Sequence, residues 1–186
     1  DTLSDGISEA VSRVLSKEYL DRFDNILHHN TDKVLIVGGV AEPEFRGGSV
    51  KKPIYIVVSG RGTDKVDNQE IPVNEIAKKT ARNYLDEKVR NLDVEKHVEV
   101  DPRIGSGSVD LKTVFDSKGI PQANDTSIGI GYAPLSEIEE LTLKTEKTLN
   151  SEDFKEEHPQ VGEDIKVMVQ REDDHINLTV AMAVVS

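Results

Sequence analysis

GEDIKVM, residues 162–168, sets an acid and a base two positions apart within an apolar alternation. In a strand, Asp164 and Lys166 then point to one face while Ile165 and Val167 point to the other. A second β-patterned run follows the turn residues Glu172-Asp173-Asp174, so the end of the chain reads as a hairpin of Ile165 to Gln170 with Ile176 to Val185. Acid and base alternating along a half-exposed strand are also the ordinary solvent face of a sheet. Three other features bear on the choice: the acidic helix start at Asp1, the Gly/Ser turn at 105–108, and the run NDTSIGIGYAP at 124–134.

Working outward, Pro134-Leu135-Ser136 opens a helix in which Ser136 and Glu139 have the spacing of a capping box, with Ile138, Leu141, Thr145 and Leu149 on its buried side. A polar loop through Pro159 joins it to the hairpin, and Thr126 to Tyr132 reads as a strand before it. Residues 110–123 carry Gly119 and Pro121 among polar residues and read as a mobile connection, although Leu111, Val114 and Phe115 could make a short helical turn.

Upstream the order is helix, two strands, helix, strand. Ile7, Ala10, Val11, Val14 and Leu15 recur at helical spacing and continue loosely to Leu20 and Phe23. Thr2 and Asp5 are spaced as a capping box, and Asp1 places negative charge where the helix dipole favours it. Such a helix start with no lead-in suggests that the chain continues upstream. Lys33 to Val37 and Pro53 to Ser59 are β-branched runs closed by glycine, and Gly47-Gly48 in the EPEFRGGSVKK loop between them suits a hairpin tip or a phosphate contact. Ile76, Ala77, Ala81, Tyr84, Leu85 and Val89 mark a helix over Pro72 to Leu92. His97 to Ile104 then alternates Val98 and Val100 inward with Glu99 and Asp101 outward before the turn GSGS. The fold class expected is α+β, in two-layer units of mixed or antiparallel sheet with helices on one face. The expected division is a first unit at 1–109, the connection at 110–123, and a second, incomplete unit at 124–186.

A chain of 186 residues can bury a real core. It holds no apolar run near the roughly 18 residues of a membrane span and no visible signal peptide. Lack of cysteine removes disulfides, thiolate metal sites and thiol catalysis, and fits a reducing cytoplasm. A net charge of -12 argues against a nucleic-acid surface, which draws affinity from clustered Lys and Arg. An anionic ligand would need a divalent cation or a basic segment to carry the difference.

Singly, the chemical signals are open. Asp1 and Asp5 project from one helix face and could serve a Mg-nucleotide, since magnesium takes one or two protein carboxylates and fills its octahedron with water and phosphate; helix capping explains them equally. His28 and His29 are adjacent, which in a strand sends them to opposite faces, and no histidine has a partner at metal-ligand spacing. Gly105-Ser106-Gly107-Ser108 could bring backbone N–H groups and hydroxyls to a ligand or simply end a strand, and it matches neither a P-loop nor a dinucleotide fingerprint. Asn124-Asp125-Thr126 could cap a turn or bind an amino group. No nucleophilic triad can be assembled.

Taken in order, DTLSDGISEAVSRVL, HHNTDKVLIVGG, KPIYIVVSGR, LDVEKHVEVDPRIGSGSVDL, ANDTSIGIGYAPLSE, EKTLNSEDF and VGEDIKVM resemble the archaeal type of methionine adenosyltransferase (S-adenosylmethionine synthetase) over nearly the whole chain. The resemblance implies an enzyme that joins ATP and L-methionine. The methionine sulfur attacks C5' of the ribose, triphosphate leaves, and it is then hydrolysed to pyrophosphate and phosphate. It implies Mg2+, potassium as an activator in many members, and a homodimer with active sites between subunits. Because sulfur needs no general base to attack carbon, the missing triad does not count against it.

Carried over motif by motif, Asp1 resembles the magnesium-binding aspartate of the family's Gly-His-Pro-Asp, with Asp5 one turn on. Ser106 lies where the family has a polar residue near methionine, and 110–123 resembles its gating loop. Asp125, with Asn124 beside it, resembles the aspartate that holds the methionine end of the substrates in the bacterial Gly-Ala-Gly-Asp-Gln-Gly. Asp164 and Lys166 resemble the family's Asp-x-Lys, the acid toward the ribose and the lysine toward the transferred centre and phosphates. Asp125 and Lys166 are thus the expected catalytic residues. Val40 stands where bacterial members have a methionine-contacting glutamate. The histidine before Asp1 and the later basic triphosphate-binding region are absent from the sequence, so it reads as the central part of the enzyme, and residues 1–186 alone are expected to be inactive. A non-catalytic nucleotide-binding, dimerisation or regulatory domain of the same fold is the alternative.

Overall fold

The computed structural model describes residues 2–107 and 131–185. The chain divides into two compact units, Asp1–Glu42 with Gly48–Asp125, and Pro43–Gly47 with Thr126–Ser186.

In the first unit, helix α1 (Thr2–Phe23) leads into strand β1 (His29–Val37). A hairpin of β2 (Val40–Glu44) and β3 (Gly47–Lys52), whose tip Pro43–Gly47 is counted with the second unit, returns the chain to β4 (Ile54–Gly62). A two-residue pair of strands, β5 (Lys65–Val66) and β6 (Gln69–Glu70), precedes helix α2 (Val73–Lys88). A short helix α3 (Val94–His97) then enters β7 (Val98–Ser106). The main sheet has the order β1-β4-β7, with β1 antiparallel and β7 parallel to β4. A parallel pair needs a long crossover, and α2 supplies it. This is the α+β arrangement expected, a mixed sheet with helices on one face.

The core follows from two stripes of i, i+4 spacing. On α1 the buried residues are Ile7, Val11, Leu15 and Tyr19, and on α2 Val73, Ala77, Ala81 and Leu85. They cover Ile56 and Val58 of β4 and Val98, Val100 and Ile104 of β7, while the alternate residues Leu35 and Val37 of β1 remain exposed on the opposite face. The α1 stripe differs from the expected one: Val14 and Leu20 are exposed, and Tyr19 takes the buried place. At 100° per residue Leu20 lies about 160° from the centre of the stripe formed by 7, 11, 15 and 19, so helical geometry turns it away from the sheet, whereas Val14, about 80° from that centre, falls at the margin of the stripe. Tyr19 is tolerated inside because its hydroxyl donates to the Thr63 carbonyl at 2.9 Å, and burial pushes its pKa up to about 12. Thr2 already belongs to the helix, so it does not stand as its cap.

Other expectations shift at the element ends. The EPEFRGGSVKK stretch is itself mostly paired as β2 and β3, with Phe45-Arg46 between them; Arg46 has φ 67° and Gly48 φ 152°, so the glycines serve the turn. Gly105 and Ser106 continue β7 opposite Arg61 and Gly62 rather than starting a turn, because β4 runs equally far and offers them partners.

The second unit holds helix α4 (Glu137–Leu149), helix α5 (Glu152–Glu157) and the hairpin of β8 (Val161–Glu172) with β9 (His175–Val184). The Ser136–Glu139 capping box is present. The polar stretch before the hairpin contains α5, capped by Ser151, whose side chain accepts from the Phe154 N–H. The expected buried side of α4 is not buried: no residue of α4 is, and Leu141 is exposed. A two-stranded hairpin is too narrow to cover a four-turn helix. Of the strand expected at Thr126 to Tyr132, residues 126–130 lie outside the described residues, and Tyr132 is not in a strand.

Glu139 is held down to about 2 by the hydroxyl of Tyr132, then by the side chain and backbone of Ser136. Its folded value is depressed, so its contribution to α4 is complete above the ordinary carboxyl range near 4.5 and fades as pH falls toward 2. Ser136→Ala is expected to cost about 1 kcal/mol at neutral pH and to flatten that acid limb. Urea titrations followed by circular dichroism at pH 7 and pH 3 measure both; an unchanged midpoint at pH 7 would contradict the capping role.

Candidate functional site

The alternation in β8 comes out as read. Asp164 and Lys166 are exposed on one face, and Ile165 between them is buried. The Lys166 Nζ donates to both carboxylate oxygens of Asp164, at 2.8 Å each, with the side chains 76% and 66% exposed. A pair so open to water adds little stability. Its value is positional: an ammonium and a carboxylate fixed on a rigid strand beside a register irregularity between Val161 and Ile165.

Lys155 of α5 pins that irregularity. Only 6% exposed, it donates its Nζ to the carbonyl of Gly162 at 2.5 Å and of Val161 at 3.4 Å. Carbonyls freed by a bulge need a donor, and a lysine stem can be buried when its head is hydrogen-bonded. This residue was not anticipated. The Ser-Glu-Asp-Phe start at 151–154 was the available signal, because it marks a short capped helix that brings Lys155 to the strand.

In the first unit the parallel strands β4 and β7 stop at a common edge, and in open parallel sheets ligands commonly bind beyond the carboxyl ends of the strands. Ser106, expected near methionine, donates its hydroxyl to Asp64 Oδ2 at 2.5 Å, while Arg61 Nη1 donates to the Ser106 carbonyl at 3.2 Å. The backbone behind them is fixed. Thr63 donates both its N–H (3.0 Å) and its hydroxyl (3.1 Å) to the His28 carbonyl, the Ile71 N–H donates to the Asp64 carbonyl (2.8 Å), and the Arg61 N–H donates to Asn30 Oδ1 (2.9 Å). Sequence reasoning passed over Arg61 and Asp64. Their signal was the Arg-Gly-Thr-Asp run at a strand's end, where charged residues on a fixed backbone commonly meet ligands.

His29 fastens α1 to β1. Its Nδ1 lies 2.9 Å from the Leu27 carbonyl and its Nε2 3.1 Å from Ser12 Oγ and 3.3 Å from Ser16 Oγ. Asp5 is exposed in the first turn of α1, beside a hollow lined by Ser8, Ser12, His29 and Thr31. A groove of about 560 Å³ on the outer side of α1 and α2, lined by Arg13, Tyr84 and Lys88 among others, holds none of the expected site residues. Asp1, Asn124, Asp125 and the 110–123 connection lie outside the described residues. Among the described residues no group of three or more His, Cys, Asp or Glu could hold a metal ion, and no helix is long and apolar enough to cross a membrane.

The chain matches the family model for S-adenosylmethionine synthetase (AdoMet synthetase) over residues 1–186. It is 59% identical to the S-adenosylmethionine synthase of Pyrococcus furiosus, covering all of this chain and 47% of the relative. It is 56% identical to that of Aeropyrum pernix and 54% identical to that of Methanocaldococcus jannaschii, again over all of this chain and 47% and 48% of the relatives. The chain thus spans about half the length of the curated relatives it matches. A family match along its entire length, with relatives more than half identical, means that this chain belongs to the S-adenosylmethionine synthetase family.

Proposed function

We propose that this protein forms S-adenosylmethionine from ATP and L-methionine. The sulfur lone pair of methionine forms the new bond to C5' as the C5'–O bond breaks. Sulfur becomes a sulfonium, triphosphate leaves with the electron pair, and water then cleaves it to pyrophosphate and phosphate. The task left to the protein is alignment and charge stabilisation. The observation that carries this reading is the Asp164–Lys166 pair on the open face of β8, within a chain matched to the family from end to end. Asp164 accepts from the ribose hydroxyls, and Lys166 places its ammonium against the charge that builds on the departing phosphate oxygens. Ser106, Asn124 and Asp125 hold the methionine end, Asp125 as the acidic partner of its amino group.

Mg2+ would be held by Asp1, with Asp5 one turn on, and would offset the charge of the phosphate chain. The exposed Asp5 carboxylate fits an ion that takes most of its ligands from water and substrate phosphate. Potassium is a further expected activator. The protein acts in the cytoplasm as a homodimer with its active sites between subunits, without nucleic acid or membrane as partner.

Incubation of the full-length protein with ATP, methionine and Mg2+ should yield a sulfonium product, identified by mass; its absence would overturn the proposal. Asp164→Asn should weaken ATP binding about tenfold, the range of a lost charge-assisted hydrogen bond, and methionine binding less than twofold. Equal losses for the two ligands in titration calorimetry would instead place Asp164 in a shared structural role.

A further inference from the structure

We propose that Lys155 is a positioning residue for Asp164: it holds the bulged entry of β8 in the conformation that brings the Asp164 carboxylate onto the open face beside Lys166. That this pair meets a nucleotide rests on the function proposed above; the hold of Lys155 on the strand rests on geometry alone.

Ladder pairing places Lys166 but not Asp164. Val161 stands opposite Val184 and Ile165 opposite Met182, so three residues of β8, Gly162, Glu163 and Asp164, face Ala183 alone. From Ile165 onward the register is continuous, and Lys166 lies in it opposite Ala181. Asp164 belongs instead to the irregular stretch, and bulges of this kind re-aim side chains beside functional sites. Carbonyls that leave a ladder need another donor.

Lys155 is such a donor. Its Nζ donates to the Gly162 carbonyl at 2.5 Å and to the Val161 carbonyl at 3.4 Å, at the point where the bulge opens. The side chain is buried, so these bonds are made out of water, where a hydrogen bond is stronger and its loss costs more. The segment that carries it is fixed at both ends. Ser151 caps α5, the His158 N–H donates to the Phe154 carbonyl at 2.9 Å, and the Val161 N–H donates to the His158 carbonyl at 3.0 Å. Gly162 also packs closely against the end of the hairpin, since a Cβ there would lie 3.3 Å from Val185 Cγ2 and 3.4 Å from Ala183 Cβ. The bulge is thus gripped between Lys155 and the returning strand. Two residues on, both Asp164 oxygens accept from Lys166 at 2.8 Å, so a shift of the bulge would move the carboxylate and, through it, the ammonium. An apolar side chain could fill the same space but could not hold the carbonyls.

The test compares the full-length protein with Lys155→Met, which keeps the stem and loses the donor, and with Lys155→Gln, whose donor stops one bond short. In Lys155→Met, amide hydrogen exchange should quicken about tenfold at residues 162–165 and stay unchanged in β1 and β4. ATP binding by calorimetry should weaken about fivefold and methionine binding less than twofold, while kcat falls about tenfold. In an Asp164→Asn background, Lys155→Met should weaken ATP binding by less than a further twofold, because Lys155 acts through Asp164. Lys155→Gln should fall between the parent and Lys155→Met, and it carries the same comparisons should Lys155→Met not fold. Unchanged exchange at 162–165, full ATP affinity and kcat in the variants, or losses that multiply with that of Asp164→Asn would each overturn the positioning role and leave the proposed function in place. Wild-type protein that binds no ATP would overturn that function, and the exchange at 162–165 would then decide alone whether Lys155 holds the strand.

Discussion

Lys166→Ala is expected to lower methionine-dependent turnover about a thousandfold while leaving thermal stability unchanged. The two halves of this expectation come from the same observation. Lys166 is 76% exposed, and its partner is a single exposed aspartate two residues away. Such a surface pair contributes on the order of 0–1 kcal/mol to folding. In the reaction proposed above the same ammonium would face a leaving triphosphate whose charge grows along the reaction, and one positioned cation or donor commonly accounts for a factor of about 10² to 10³ or more. Because the charge develops in the transition state, the loss should fall mainly on kcat rather than on the KM for either substrate. Removing the lysine also releases Asp164 from its two hydrogen bonds, so some weakening of nucleotide binding should accompany the larger effect. A fall in the unfolding midpoint matching the fall in activity would show instead that the pair holds the strand.

Gly60→Ala is the second large effect, and it acts through the backbone. A Cβ at Gly60 would lie 2.1 Å from the carbonyl oxygen of Asn30 and 3.1 Å from the Thr31 Cα. Neither neighbour is a flexible side-chain end. Both belong to β1 at the register irregularity between Asn30 and Lys33, where the strand bends over β4. Relief requires opening the pairing of β1 with β4 at that irregularity, and the expected cost is about 3 kcal/mol or more, a large part of the stability of an ordinary domain. Gly105 is the internal control, since a Cβ there meets nothing within 4 Å. Gly105→Ala should stay within about 0.5 kcal/mol of the parent in chemical denaturation. Similar losses at the two glycines would point to a general intolerance of that sheet edge rather than to the Asn30 contact.

What could be read from the sequence was set by local rules, and what could not depended on distant partners. The Ser136–Glu139 box and the faces of Asp164 and Lys166 follow from spacing alone and are present as read. The order of helices and strands in the first unit follows from periodicity in the same way. The α1 stripe was misplaced at Leu20 because apolar character was weighed ahead of the 100° advance per residue, and Val14 falls at the margin of the buried stripe. Tyr19 was overlooked because its burial depends on a carbonyl 44 residues away. The end of β7 was misjudged for a similar reason. Gly-Ser-Gly-Ser looks like a turn until β4 is seen to extend beside it and pair Gly62 with Ser106. Leu141 of α4 was assigned to a core that the two strands beside it are too narrow to provide. At the candidate site, the shared face of Asp164 and Lys166 was legible because they are neighbours on one strand. Arg61, Asp64 and Lys155 were not, because each gains its meaning from residues brought to it by the fold.

The most direct test is a coupled assay of pyrophosphate and phosphate release by the full-length protein, run with ATP alone, with ATP and methionine, and with the Lys166→Ala variant. Release should require methionine, match the sulfonium product mole for mole, and fall about a thousandfold in the variant. Release without methionine, or undiminished release from Lys166→Ala, would contradict the proposed reaction.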